Sequence, residues 1–396
     1  MHGTVAQQPV SSDLSLIGAL LRGEEPEWPA TNDDRDVARF LRAARWHGVM
    51  PLLDARFAAR GPGATWPEAL RQACHDDALA GAMYELAHRA ELLRVLSALA
   101  AAGIEPLILK GTALAYSHYP SPALRPRSDT DLLVPAETAA EVARVLQDLG
   151  YIREVTANSE VFSCEANWHR TDELGKSHHL DVHWRSSTRP SLATTFTYGE
   201  LAAGARHVPQ LGPYARAPGP ADALLFACAH RAKHVNTAYH AGDDVRVGGD
   251  RLIWLYDLHL LVLAMSPSEL EAFVERATIK RFRTVCRDAL ERARECLATP
   301  IPAAVLIELR RPHPAEPSAG MLTERPANEF LDFFLALDGW PTRMKWLREV
   351  FLPTAEYMQR KYPDATHRWL PALYLRRALA GMRKALKRDG AGLPRS

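Results

Sequence analysis

The sequence predicts an α+β protein, a small mixed-sheet core embedded between N-terminal and C-terminal helical regions. Three observations predict it. Over the first hundred residues, apolar side chains recur at three- and four-residue spacing, as on amphipathic helices. Between Ile104 and Trp184, short apolar runs alternate with helix-like segments. After about Pro220 the helical spacing returns.

The 396 residues are 47% hydrophobic and 24% charged with a net charge of +1. That balance fits a globular protein of two or three domains. The near-zero charge gives no nucleic-acid or membrane signal for the chain as a whole. Cys74, Cys164, Cys228, Cys286 and Cys296 stand singly, with neither a zinc spacing nor a disulfide framework. A reducing, cytoplasmic location is therefore expected. The opening MHGTVAQQPVSSDLSL lacks the layout of a signal peptide, and no apolar run is long enough to span a membrane.

Taken in order, Ser12 and Asp13 can cap SLIGALLRG, and Asp33 and Asp34 a segment through Ala44. Trp66 to Ala102 reads as one long helix or two, ended by Gly103. IEPLILK (Ile104 to Lys110) reads as a buried strand, TALAYSHY as a helix and SDTDLLVP as a second strand. AETAAEVARVLQDLG has acids in its first turn and Gly at its end, as helices do. YIREV, EVFSCEA and HHLDVHW read as further strands. ADALLFACAHRAKHV, DRLIWLYDLHLLVLA, PSELEAFVERA and a segment through Leu297 read as helices, and RRPHPAEPSAGMLTERP as a linker or long loop. These readings divide the chain into an N-terminal helical region (1–102), a core (103–215), a helical domain (216–310), and a linker with a basic helical tail (311–396). In that tail Leu370, Leu373, Leu379, Met382 and Leu386 stand against Arg376, Arg377, Arg383, Lys384, Lys387 and Arg388. Such a basic amphipathic helix can dock an acidic peptide, RNA or a membrane surface, or pack on the body with its charges in water.

The chemistry-bearing stretch is LILKGTALAYSHYPSPALRPRSDTDLLVP. Strand alternation puts Thr130, Leu132 and Val134 on a core face and Asp129 and Asp131 on the other, about 7 Å apart. In HHLDVHW the same alternation sets Leu180, Val182 and Trp184 against His179, Asp181 and His183. Three carboxylates on two strands suit Mg²⁺ or Mn²⁺ and in-line attack at phosphorus. The plainer alternative is a sheet face turned to water. Upstream, Lys110-Gly111-Thr112 marks a tight strand-to-helix turn. Gly111 there lets backbone N–H groups approach a phosphate, and Lys110 adds a cation. Thr112 can cap the helix or contact a phosphate oxygen.

This pattern resembles the nucleotidyltransferase superfamily related to DNA polymerase β. More narrowly, it resembles an uncharacterised bacterial nucleotidyltransferase family marked by LKG-x-A-L…YP…R…DIDLLV. The later LDVHW, His230…His234, Trp254…Asp257, GWPTRMKWLREVFLP and YLRRAL also match, over roughly residues 70 to 390. The resemblance implies an NTP, expected to be ATP, and a divalent metal held by Asp129, Asp131 and Asp181, which are also the catalytic acids. It implies phosphate contacts from Gly111 and Thr112, and Lys110, Ser128 and Arg125 beside them are expected to complete the nucleotide contacts. Two departures are Lys-Gly-Thr in place of Gly-Ser or Gly-Gly, and a loop about eighteen residues before Asp129. The implied reaction places a nucleoside monophosphate on a hydroxyl of a peptide, protein or small molecule, releasing pyrophosphate. The alternatives are a toxin-like enzyme acting on tRNA and an inactive nucleotide-binding module.

Other residues have two readings each. Arg125 and Arg127 can bind phosphate or acceptor, or lie exposed on their loop. His179 and His183 can assist the metal or sit passively on the sheet. His230 and His234, one helical turn apart, can share a zinc, but no further ligand completes a signature, so a helix lining the cleft is favoured. Trp254 is read as core and Asp257 as a structural hydrogen-bond partner.

Overall fold

A computed structural model describes residues 11–29, 34–60, 66–154, 164–185, 192, 195–236, 238–241, 244–247, 249–312, 314–323, 331, 334–335, 337, 339–362 and 370–390. The first helices are α1 (Ser11–Leu21), α2 (Asp34–His47), α3 (Met50–Arg60) and α4 (Glu68–Ala101). Helix α4 is one continuous helix of 34 residues, about 50 Å long at the α-helical rise. It stops at Gly103, whose φ of 73° few other residues adopt readily.

The central region follows as β1 (Leu107–Leu109), α5 (Lys110–Ser117), β2 (Thr130–Leu133), α6 (Ala139–Asp148), β3 (Ile152–Arg153), β4 (Glu165–Thr171), β5 (Ser177–His183), α7 (Tyr198–Ala203), β6 (Arg206–His207) and β7 (Arg216–Ala217). Its strands form one seven-stranded mixed sheet in the order β3-β4-β5-β2-β1-β7-β6. YIREV contributes only the two residues of β3. Of EVFSCEA, residues 160–163 lie outside the described residues, and β4 starts at Glu165. The strands β6 and β7 were not expected; two residues are too few for an alternation pattern.

Next come α8 (Pro220–Val235), a separate hairpin β8 (Ala238–Ala241) and β9 (Asp244–Val247), α9 (Leu252–Ala264), α10 (Pro267–Ile279), α11 (Arg283–Leu297), α12 (Ala303–Arg310) and α13 (Gly320–Thr323). The segment read as a linker is anchored where it is described. Glu316 accepts from the backbone N–H groups of Arg283 and Thr284 at the start of α11, and Ser318 is buried. Helices Gly339–Phe351, Ala355–Lys361 and Leu370–Gly390 complete the fold.

Two cores meet at the sheet. Ile108, Leu132, Leu180, Val182 and Trp168 pack on one face with Leu92, Val95, Leu96 and Leu99 of α4 and Val142, Val145 and Leu146 of α6. Leu107, Leu109 and Leu133, on the other face, join the larger core built with α1–α3 and α8–α12. The acid-bearing face is therefore covered, not turned to water as sheet alternation by itself allows. Asp131 is 6% exposed. Alternation tells which residues share a face but not what lies over it.

Candidate active site

Strand pairing assembles the acids. Leu109 pairs with Asp131, Asp131 pairs in parallel with Asp181, and Asp181 pairs antiparallel with Asn167. Four adjacent strands thus set Leu109, Asp131, Asp181 and Asn167 in one row. Asp129 lies one residue before β2. Asp129, Asp131, Asp181, Lys110, Gly111, Arg125 and Ser128 all line one cleft, together with Glu165 and His183.

The charges are unevenly balanced. Lys110 donates to Asp131 Oδ1 at 2.5 Å and His183 Nε2 lies 2.7 Å from the same oxygen. Burial alone would raise the Asp131 carboxyl, but Lys110 and His183 hold it well below the usual carboxylate range. His183 Nδ1 also stands 3.1 Å from Glu165. Burial alone would lower its imidazolium, yet bonds to Asp131, Cys164 and Glu165 push it up to about 10. Glu165, bonded to His183, is held down at about 2. The other two acids go the opposite way. Burial and the Asp131 charge raise Asp129, and burial with the charges of Asp129 and Asp131 pushes Asp181 up to about 7. Asn167 donates to Asp181 Oδ1 at 2.8 Å.

The turn before α5 differs from its sequence reading. Lys110 itself takes the left-handed conformation, with φ 51°, and its side chain turns back to Asp131. Gly111 makes room for a guanidinium: a Cβ there would meet Arg125 Nη1 at 2.9 Å and Cζ at 3.0 Å. Arg125 cannot yield cheaply, because Nε and Nη2 are held by Asp257 at 3.0 and 2.7 Å, and Tyr119 donates to Asp257 as well. Thr112 is buried, and neither caps α5 nor lines the cleft. Its hydroxyl instead lies 3.0 Å from Arg127 Nε and 3.0 Å from Thr130 Oγ1. Arg127 is no exposed loop residue either; its side chain is 3% exposed and pairs with Glu85 at 2.7 Å.

Several contributors were not singled out from the sequence. On α4, Glu85, His88 and Glu91 interrupt the buried apolar stripe where the helix passes the sheet. Glu85 receives Arg127 and Tyr116, and His88 contacts Thr130 at 2.9 Å and His178 at 3.3 Å. The signal available was polar residues recurring at helical spacing in line with Leu92 and Leu96. Arg45, Lys233 and Arg251 also line the cleft, as do His230, His234 and Trp254. The His230 and His234 rings are 4.8 Å apart and pack against Trp254 at 5.4 and 5.7 Å. Burial lowers both histidines, His234 to about 3.

The donor set fits a divalent cation. Ligand atoms of Asp131, Asp181 and His183 lie within 4.8 Å of one another. The mutual repulsion that raises Asp129 and Asp181 is what a bound cation relieves. His183, bonded to both Asp131 and Glu165, orients Asp131; of the three aspartates, Asp131 and Asp181 belong to this group, while Asp129 lines the same cleft. A family model described as an uncharacterised nucleotidyltransferase matches residues 33–298. No curated protein matches the chain.

Proposed function

This chain belongs to that nucleotidyltransferase family, and from that premise we propose that it moves a nucleoside monophosphate from an NTP to an acceptor hydroxyl, with Asp129, Asp131 and Asp181 as metal-binding acids. The observation that carries the reading is three aspartates lining one cleft, with Asp131 ion-paired to Lys110 and His183. A divalent cation, expected to be magnesium, supplies there the charge that stabilises the reacting phosphate and lowers the pKa of the acceptor hydroxyl.

The protein's own groups do the rest. Lys110 and Ser128, on the cleft wall with Gly111, bind the phosphates. Arg125, fixed by Asp257, supports the turn and presents positive charge beside it. Asp181, in the cleft beside Asp131, accepts the proton of the acceptor hydroxyl. The hydroxyl oxygen bonds to the α-phosphorus as the bond to pyrophosphate breaks. His183 and Asn167 hold Asp131 and Asp181 in place. ATP as donor and a peptide, protein or small molecule as acceptor follow from the motif resemblance. Against an inactive binding module stands the presence of all three acids in one cleft.

Pyrophosphate release by Asp129→Asn with Asp131→Asn tests the reading. We expect a loss of about a thousandfold or more, the several kcal/mol that a metal contributes. Release that survives the double change sinks it. The mass shift of the product formed with each NTP identifies donor and acceptor.

A further inference from the structure

The C-terminal helices expose apolar surface in an ordered pattern. Along helix Gly339–Phe351, Trp340 and Met344 are 65% and 57% exposed and Phe351 is 59% exposed. With half-buried Leu347 they fall at i, i+4, i+7 and i+11, one narrow stripe of a helix. Arg343 and Arg348 stand on the two sides of that stripe at helical spacing. Arg343 lies over the Trp340 ring at 5.8 Å.

Helix Leu370–Gly390 repeats the arrangement. Leu375 and Leu379 are 62% and 43% exposed, next to exposed Arg376. The sequence carries the same spacing on to Met382 and Leu386. Residues 339–390 hold twelve Lys and Arg against four Asp and Glu, a net +8 within a chain whose total is +1. The helices are tied to one another: Arg377 donates to the carbonyl of Val350, and Tyr374 to that of Pro353.

We propose that this C-terminal unit is a docking face for the surface of an anionic lipid bilayer, its apolar stripes seated at the headgroup boundary and its arginines and lysines among the lipid phosphates. The charge selects an anionic partner. The stripes select a lipid over a nucleic acid, because a phosphate backbone rewards cations but gives exposed leucine, methionine and tryptophan nothing to enter. A narrow apolar stripe with basic flanks and a tryptophan is the layout of a helix lying in the interface plane. The inference concerns where the protein works and is independent of the nucleotide cleft.

Co-sedimentation of the full chain with vesicles tests it. With phosphatidylglycerol mixed into phosphatidylcholine we expect binding that weakens as salt is added, and little binding to phosphatidylcholine alone. Arg348→Ser with Arg376→Ser lowers the partition by roughly 20- to 30-fold, at about fivefold per charge. Trp340→Ser, Met344→Ser and Leu375→Ser together lower it by roughly tenfold or more; all are exposed, so the fold tolerates them. No preference for anionic vesicles in the wild-type chain overturns the proposal. So does a self-associated form, abolished by the apolar variant, that excludes vesicles. RNA binding that vesicles fail to displace assigns the face to nucleic acid and also overturns it.

Discussion

Lys110 joins backbone geometry to site chemistry in one side chain. A left-handed conformation costs a non-glycine residue about 1–2 kcal/mol, and Lys110 adopts it at the turn into α5. Its ammonium then lies 2.5 Å from Asp131, where it partly neutralises a carboxylate that a metal would otherwise share. On the proposed function, Lys110 would be an internal counter-ion that competes with metal until a triphosphate draws it away. Lys110→Met should therefore bind Mn²⁺ alone more tightly, by roughly tenfold for about 1.4 kcal/mol of lost competition, and NTP more weakly. Calorimetry reads both, and Mn²⁺ affinity that is unchanged or weaker removes Lys110 from this role. The sequence had marked Lys110 as a phosphate contact; the competing carboxylate was out of reach because it lies 21 residues on, on a different strand.

Among the elements, α9 and the loop before β2 depend on each other. Asp257 of α9 takes both forks of Arg125, and both side chains are under a tenth exposed. Removing one partner of a buried pair strands the other, at about 3–5 kcal/mol. Asp257→Ala should accordingly lower the urea midpoint by an amount equivalent to that loss. Arg125→Met with Asp257→Leu should regain most of it, since two apolar groups leave no charge stranded. If the double variant is no more stable than the single one, the pairing argument fails. Helix α4 shows a second dependence. Its buried face is apolar at Leu70 and Cys74 and again from Leu92 to Leu99, and polar at Glu85, His88 and Glu91 between them. Those polar groups receive Arg127, Thr130 and Arg170 from the sheet region. The strand pattern around Asp129 and Asp181 was legible because a period of two survives any packing. The polar middle of α4 read as an ordinary long helix because its partners come from elsewhere in the chain.

The assembled protein buries His88, His230 and His234, and burial favours the neutral form of each. Burial, with nearby Arg127, lowers His88 to about 3, and burial lowers His234 to about 3. Each lies below the unfolded value near 6.5, so the unfolded chain takes up protons first as pH falls. The stability that each of these histidines contributes is intact above about 6.5 and is lost from there toward 3, by about 2 kcal/mol per histidine at pH 5. The difference in urea midpoint between pH 7 and pH 5, compared in wild type and His88→Gln, isolates one histidine's share, because Asp181 and His183 shift both proteins alike; an equal pH response in the two refutes the assignment. The fold class and the strand face that Asp131 shares with Asp181 could be read from local periodicity and residue type, which depend only on near neighbours along the chain. Which helices cover the acid face, and which groups hold Arg125 and Arg127, only the tertiary structure decided. Asp257 reaches Arg125 across 132 residues and Glu85 reaches Arg127 across 42. No local pattern records such a pairing, because it is set by how α4 and α9 close on the sheet.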